Sequence, residues 1–282
     1  MTLPLIVGVD GSDTSAAAAG WAGREAVATG RDLRLLYVRP TDFWTRPEDE
    51  RVVEEQSALH AMTELAADLR QAHPGLHVDV EERTGPVDLT LLRTADESGT
   101  LVLGTRGSGG FAALMLGSVA QSVAARAESP LVLVPPHATA GPGYRVVVGV
   151  DPSGDCAPVL EYALRYAQDH GVVLRAVHAW QPPVPWGAGP VQPGEVERRG
   201  VQHQHAVALR EALATAHNRF PAVDATSAEV SGPPAGVLVE ETEKASLLVV
   251  GRRRHRPVSA LGPVAHAVLQ HASCPVAVVP HW

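Results

Sequence analysis

Ile6-Val-Gly-Val-Asp-Gly-Ser12 returns far down the chain as Val147-Val-Gly-Val-Asp-Pro-Ser153. Gly8 matches Gly149, Asp10 matches Asp151 and Ser12 matches Ser153, an offset of 141 residues. The register holds through Trp21/Tyr162, Gly30/Gly171 and Leu33/Leu174. Further on, Leu101-Val-Leu-Gly-Thr-Arg-Gly107 aligns with Leu248-Val-Val-Gly-Arg-Arg-Arg254 at an offset of 147. Ser129-Pro-Leu-Val-Leu-Val-Pro135 aligns with Cys274-Pro-Val-Ala-Val-Val-Pro280 at an offset of 145. Matched elements that keep their order while the offset drifts slightly are a duplication with loop insertions and deletions. Between the halves lies Pro136-His-Ala-Thr-Ala-Gly-Pro-Gly143, a linker of Pro, Gly and small residues, which predicts domains over 1–136 and 144–282. The 282 residues agree, because one compact domain holds about 100–200.

Within the first half, the short β-branched run Leu5–Val9 predicts a buried strand. Thr14–Thr29 carries apolar residues at helical spacing and stops at Gly30, a C-cap residue. Leu33–Val38, His77–Arg83, Thr100–Gly104 and Leu131–Val134 read as further strands; Glu48–Ala72, Val87–Glu97 and Ser118–Ala127 read as helices. The order is βαβαβαβαβ, and the second half repeats it with Glu195–Phe220 as its long helix. Strands that are apolar throughout need cover on both faces, so each half is expected to be an α/β, Rossmann-like domain: a five-stranded parallel sheet with helices on both sides. Two such halves are expected to be related by a pseudo-two-fold axis.

Composition narrows the function. Hydrophobic residues are 45% and charged residues 19%, enough apolar material for a core in each half and too much for a disordered chain. A net charge of −8 argues against nucleic acid as a partner, because phosphate contacts need a basic surface. Cys156 and Cys274 are too few and too far apart for a secreted disulfide framework. The start of the chain has no basic segment or cleavage site of a signal peptide, and no run of apolar residues is long enough to span a membrane. A cytoplasmic protein with no membrane partner is expected. Lys244 is the only lysine and lies far from either glycine loop, which excludes a P-loop. His203 and His205, two apart on a helix, face different ways, and no metal site is expected. Trp21, Trp44, Trp180 and Trp186 read as packing or loop anchors.

In an open parallel sheet, ligands bind beyond the carboxyl ends of the strands where the strand order reverses. Those ends here are Gly8-Val9-Asp10, Tyr37-Val38 and Gly104. After Gly104 comes Thr-Arg-Gly107-Ser-Gly-Gly-Phe-Ala-Ala-Leu-Met-Leu-Gly117-Ser118, then a helix. Glycines permit positive φ and let backbone approach a ligand, and a glycine-rich turn exposes N–H groups as an anion nest. Ser118 opens a helix whose free N–H groups and dipole favour phosphate. Asp10 competes with a simpler use, since Asp10-Gly-Ser-Asp-Thr-Ser15 is rich in helix-capping residues; a cap at Ser12 or Asp13 leaves Asp10 for a ligand.

With these residues assembled, the chain resembles a tandem universal stress protein, two fused stress-protein domains. The likeness covers all but the linker and a loop near Gln181–Gly194. The ATP-binding branch of that family carries Gly-x2-Gly-x9-Gly-Ser/Thr, and Gly104, Gly107, Gly117 and Ser118 match it without a gap. The resemblance implies ATP, accompanied by Mg2+, held by Gly8, Val9, Asp10, Val38, Gly104, Thr105, Arg106, Gly107, Ser108, Gly109, Gly110, Gly117, Ser118 and Val119. It places Asp10 near the ribose and the Val38 backbone near the adenine. It also implies that the fifth strands of two domains pair across a two-fold axis. Leu131–Val134 and Val276–Val279 are therefore expected to join the halves as an internal pseudo-dimer, leaving other surfaces for any homodimer.

The second half departs from the motif. Gly251 is kept, but Arg254 stands at the second glycine, seven residues instead of nine lead to Gly262, and Pro263 replaces the serine. Arg254 carries a Cβ where positive φ is expected, and Pro263 lacks an N–H. A triphosphate site is not expected there. Gly149, Asp151 and Gly251 keep a weaker nucleotide site, and Arg252-Arg-Arg-His-Arg256 reads either as a holder of an anion by charge or as a solvated loop. The expected function is that of a nucleotide-dependent stress-response regulator or sensor with its main site in the first half. A slow adenine-nucleotide hydrolase, for which only Asp10 and Arg106 are nominees and no catalytic residue is assigned, and a ligand-free interaction scaffold are the alternatives. Gly104→Ala and Gly117→Ala are each expected to weaken binding while the fold persists.

Overall fold

Leu5, Ile6 and Val7 are all buried, although successive strand residues point to opposite faces. β1 (Leu5–Val9) is thus covered on both sides, as its unbroken apolar run requires. The computed structural model describes residues 3–41, 47–107, 116–136, 138, 145–181, 195–254 and 261–282. After β1 come α1 (Asp13–Thr29), β2 (Leu33–Arg39), α2 (Glu48–Ala72), β3 (Val78–Thr84), α3 (Val87–Ser98), β4 (Leu101–Gly104), α4 (Ser118–Arg126) and β5 (Leu131–Val134). The second half runs β6 (Arg145–Gly149), α5 (Ala157–His170), β7 (Val173–Trp180), α6 (Glu195–His217), β8 (Ala225–Ser231), α7 (Pro234–Thr242), β9 (Leu247–Arg253), α8 (Pro263–His271) and β10 (Val276–His281).

Local chemistry sets the element ends. Ser12 caps α1 by accepting from the Ser15 amide at 3.2 Å, and Gly30 closes it with φ 62°. The long helix of the second half ends at His217, short of the expected Phe220, because Phe220 precedes Pro221 and is pushed out of helical geometry. The third strand lies one residue later than expected, at Val78–Thr84.

The strands form one ten-stranded sheet in the order β3-β2-β1-β4-β5-β10-β9-β6-β7-β8. Each half is parallel and doubly wound, with its order reversing between β1 and β4 or between β6 and β9. The halves join where β5 and β10 pair antiparallel, Val276 with Leu133, Ala277 with Val132 and Val278 with Leu131. The expected pairing of these two strands is present, and it turns two sheet edges into interior strands. Two cores result. One face of the sheet packs on α1, α2, α5 and α6; the other packs on α3, α4, α7 and α8, and each core runs through both halves. Across the first, His170 Nε2 of α5 meets Glu25 Oε2 of α1 at 2.9 Å. No helix among the described residues is long and apolar enough to cross a membrane.

Candidate functional site

The reversal between β1 and β4 opens a cavity of about 960 Å³ in the first half. Its walls are the strand ends Gly8-Val9-Asp10, Leu36-Tyr37-Val38 and Leu103-Gly104, with Arg106, Gly107, Gly117, Ser118, Val119 and Ala120 at the far side. Thr105 does not line it. That residue is buried, and its backbone ties the loop down: its amide donates to Val134 O at 3.1 Å and its carbonyl accepts from the Gly117 amide at 2.8 Å. Ser108, Gly109 and Gly110 lie outside the described residues. The loop is also fastened to α1, because Thr14 Oγ1 donates to Arg106 O at 2.7 Å.

Gly104 and Gly107 are there for space. None of Gly104, Gly107 and Gly117 has a positive φ, so these three do not serve left-handed backbone. A Cβ on Gly104 would stand 2.8 Å from the backbone oxygen of Thr14, and one on Gly107 would stand 2.6 Å from Asp10 Oδ2. On Gly117 it would meet only ordinary contacts from 3.5 Å outward. Asp10 accepts at Oδ1 from the Ser12 amide at 3.1 Å and from Ser12 Oγ at 2.6 Å, so Ser12 is both the cap of α1 and a support for this carboxylate. The Gly117 N-cap gives α4 no side-chain cap, which leaves the first amides of that helix without one at the cavity wall. Arg106 Nε is buried with no hydrogen-bond partner among the described residues. Among the described residues, neutral strand ends, one carboxylate, one guanidinium and an uncapped helix start suit a ligand with an apolar body and an anionic tail.

The corresponding cavity of the second half measures about 410 Å³ and is lined by Gly149, Asp151, Gly251, Arg252, Arg253, Gly262 and Pro263, among others. Of these, Arg253 pairs through Nη2 with Asp151 Oδ2 at 2.9 Å. Burial pushes the Asp151 carboxyl up, but hydrogen bonds from Ser153 Oγ (2.5 Å) and the Ser153 amide (3.1 Å), with the Arg253 charge, hold it below the usual carboxylate range. His281 packs so closely on Gly251 that a Cβ there would stand 2.7 Å from Nε2. The three described arginines of the run have partners within the protein. Arg252 reaches the carbonyls of Ala125 and Ala127, Arg253 holds Asp151, and Arg254 bonds Glu128; His255 and Arg256 lie outside the described residues. The φ objection to Arg254 also falls, since no described non-glycine residue has a positive φ.

The model of the universal stress protein family matches residues 1–135 and again residues 144–280. The chain belongs to the universal stress protein family. It is 31% identical over 300 residues to universal stress protein Rv1996 of Mycobacterium tuberculosis, covering 98% of this chain and 94% of that one. With universal stress protein Rv2005c of the same organism it shares 32% identity over 297 residues, covering 97% and 96%. Among solved structures, a universal stress protein from Archaeoglobus fulgidus superposes with a TM-score of 0.71 at 18% identity, over 98% of both chains. Another, a protein described as a putative universal stress protein from Pseudomonas aeruginosa, superposes with a TM-score of 0.64 at 16% identity. At those identities the likeness is one of fold.

Some wall residues of this stress protein were not anticipated. Ser57, Ala58 and Ala61 of α2 bring small side chains to the first cavity, beside Gly11, Ser15 and Pro40. Their spacing on one helical face was a usable signal, hidden by the long polar composition of α2. Other residues singled out in the sequence are placed as follows. Trp21 is buried in the core, while Trp44 and Trp186 lie outside the described residues. Trp180 stacks on His205 at 5.3 Å between ring centres. His203 is exposed, whereas His205 turns inward to His178. His178 Nδ1 must donate to Val150 O (2.8 Å), so its Nε2 accepts from His205 Nδ1 (3.0 Å). No group of three metal-ligating side chains occurs among the described residues.

Proposed function

We propose that this universal stress protein binds ATP in its first half and serves as a nucleotide-dependent regulator in a stress response. One observation carries the reading: the strand ends of β1, β2 and β4 meet the uncapped start of α4 around a single cavity of about 960 Å³. That volume lies within the range of small-molecule sites, about 300–1,000 Å³. Fit supports it further. Gly107 leaves open the space beside Asp10 Oδ2 that a side chain would take, and Arg106 Nε is buried without a partner among the described residues. The apolar strand ends with the Val38 backbone would take the adenine, Asp10 the ribose, and the Gly107–Ser118 side with Arg106 the phosphates and their Mg2+. The phosphates bring the negative charge that the α4 start favours. The deciding experiment is mass spectrometry of nucleotide released from the purified protein, followed over time after ATP is added. Retained, unchanged ATP supports the regulator. Rapid release of ADP would make the protein a hydrolase. Absence of nucleotide after ATP addition would refute the reading.

A further inference from the structure

α4 runs from one cavity to the neighbourhood of the other. Gly117, Ser118 and Val119 at its start line the first cavity. One carbonyl of its last turn and those of the two residues after it are taken by the second half. Arg252, only 5% exposed, donates Nη1 to Ala125 O at 3.1 Å and Nη2 to Ala127 O. Arg254 donates Nη2 to Glu128 O at 2.8 Å, pairs through Nη1 with Glu128 Oε2 at 3.3 Å, and lies over the Trp282 ring at 5.2 Å. Guanidinium groups at a helix C-terminus satisfy orphan carbonyls and complement the negative end of the dipole.

The matching positions of the first half cannot make the same grip. Arg252 occupies the sequence position of Thr105 and Arg254 that of Gly107, and neither has a cationic side chain to reach across with. The arginines thus sit in the half whose glycine loop is broken, and they hold the helix of the half whose loop is intact. We infer that Arg252 and Arg254 are positioning residues for the anionic end of the first site. They fix α4 along its axis so that its first amides stay at the cavity wall. The degenerate loop of the second half has become a support for the working loop of the first. This inference rests on the nucleotide reading given above.

The test is calorimetric titration of the full chain with ATP and, separately, adenosine, using wild type, Arg252→Met, Arg254→Met and Arg252→Lys. It is run at 0.15 M salt or above, where the screening length of about 8 Å is shorter than α4, nine residues rising about 1.5 Å each. Distant loss of charge is then largely screened. The expected result is a fall of about three- to thirtyfold in ATP affinity for both Met variants, with adenosine affinity unchanged and partial recovery in Arg252→Lys. Equal losses for ATP and adenosine, or no loss for either, would overturn the inference and leave the nucleotide reading intact. Wild type that binds neither compound would overturn both. Circular dichroism and melting confirm the fold, and if buried Arg252→Met does not fold, the more exposed Arg254→Met decides.

Discussion

At the scale of single residues, two glycines of one motif are glycine for different reasons. Gly104 faces the backbone oxygen of Thr14, which cannot swing aside, so Gly104→Ala should cost about 1–3 kcal/mol of stability through overpacking. Melting of the variant measures this; an unchanged transition would mean that β4 and α1 have room to part. The fold is expected to persist, as read from the sequence, but at this cost in stability. Gly107 is exposed, and a side chain there would press on Asp10 Oδ2. Gly107→Ala should leave melting unchanged and weaken ATP about tenfold, roughly the worth of one hydrogen bond. Unchanged affinity would separate Asp10 from the ligand. The motif was legible because a loop that brings backbone to a ligand must lack side chains. The partners that crowd each glycine were not, since Thr14 and Asp10 reach the loop only through the fold. Nor does a run of arginines announce that its members point at α4 and Asp151.

Elements were legible where periodicity and punctuation agree. Gly30 ended α1 as its position required, and the alternation over His77–Arg83 marked the third strand, which lies one residue later at Val78–Thr84. Contacts between helices of different halves left no local trace. The pair formed by His170 of α5 and Glu25 of α1 is one of these. Burial pulls the His170 pKa down, but the hydrogen bond and charge of Glu25 outweigh it and the value stands above the ordinary one. A folded-state pKa raised above the unfolded value stabilises fully below the unfolded value and fades as pH climbs through the folded one. Wild type should therefore melt about 2–4 °C above Glu25→Gln between about pH 5 and 6.5, with the gap closing at alkaline pH. A gap that stays flat or widens with rising pH would contradict this. The strand pair β5–β10 makes a second element-scale prediction. A chain cut after Pro136 exposes Leu131–Val134, all buried in the whole protein, and should self-associate or aggregate in sedimentation experiments. A stable monomer at high concentration would show that this edge needs no cover.

For the whole molecule, the duplication was the most legible feature, because internal repetition survives in the sequence whatever the loops do. It announced two similar domains and left their division of work to be found in the differences. Those differences are physical. The first cavity, about 960 Å³, has glycine walls and a helix start free of proline; the second, about 410 Å³, is lined by His281, carries the Asp151–Arg253 ion pair, and ends at Pro263. One sheet and two shared cores nonetheless bind the halves into a single body, so the altered half contributes through the intact one. The measurement that bears most directly on this division is the stoichiometry of ATP binding to the full chain by titration calorimetry. One tight ATP per chain is the expected result, and two equal, tight sites per chain would contradict it.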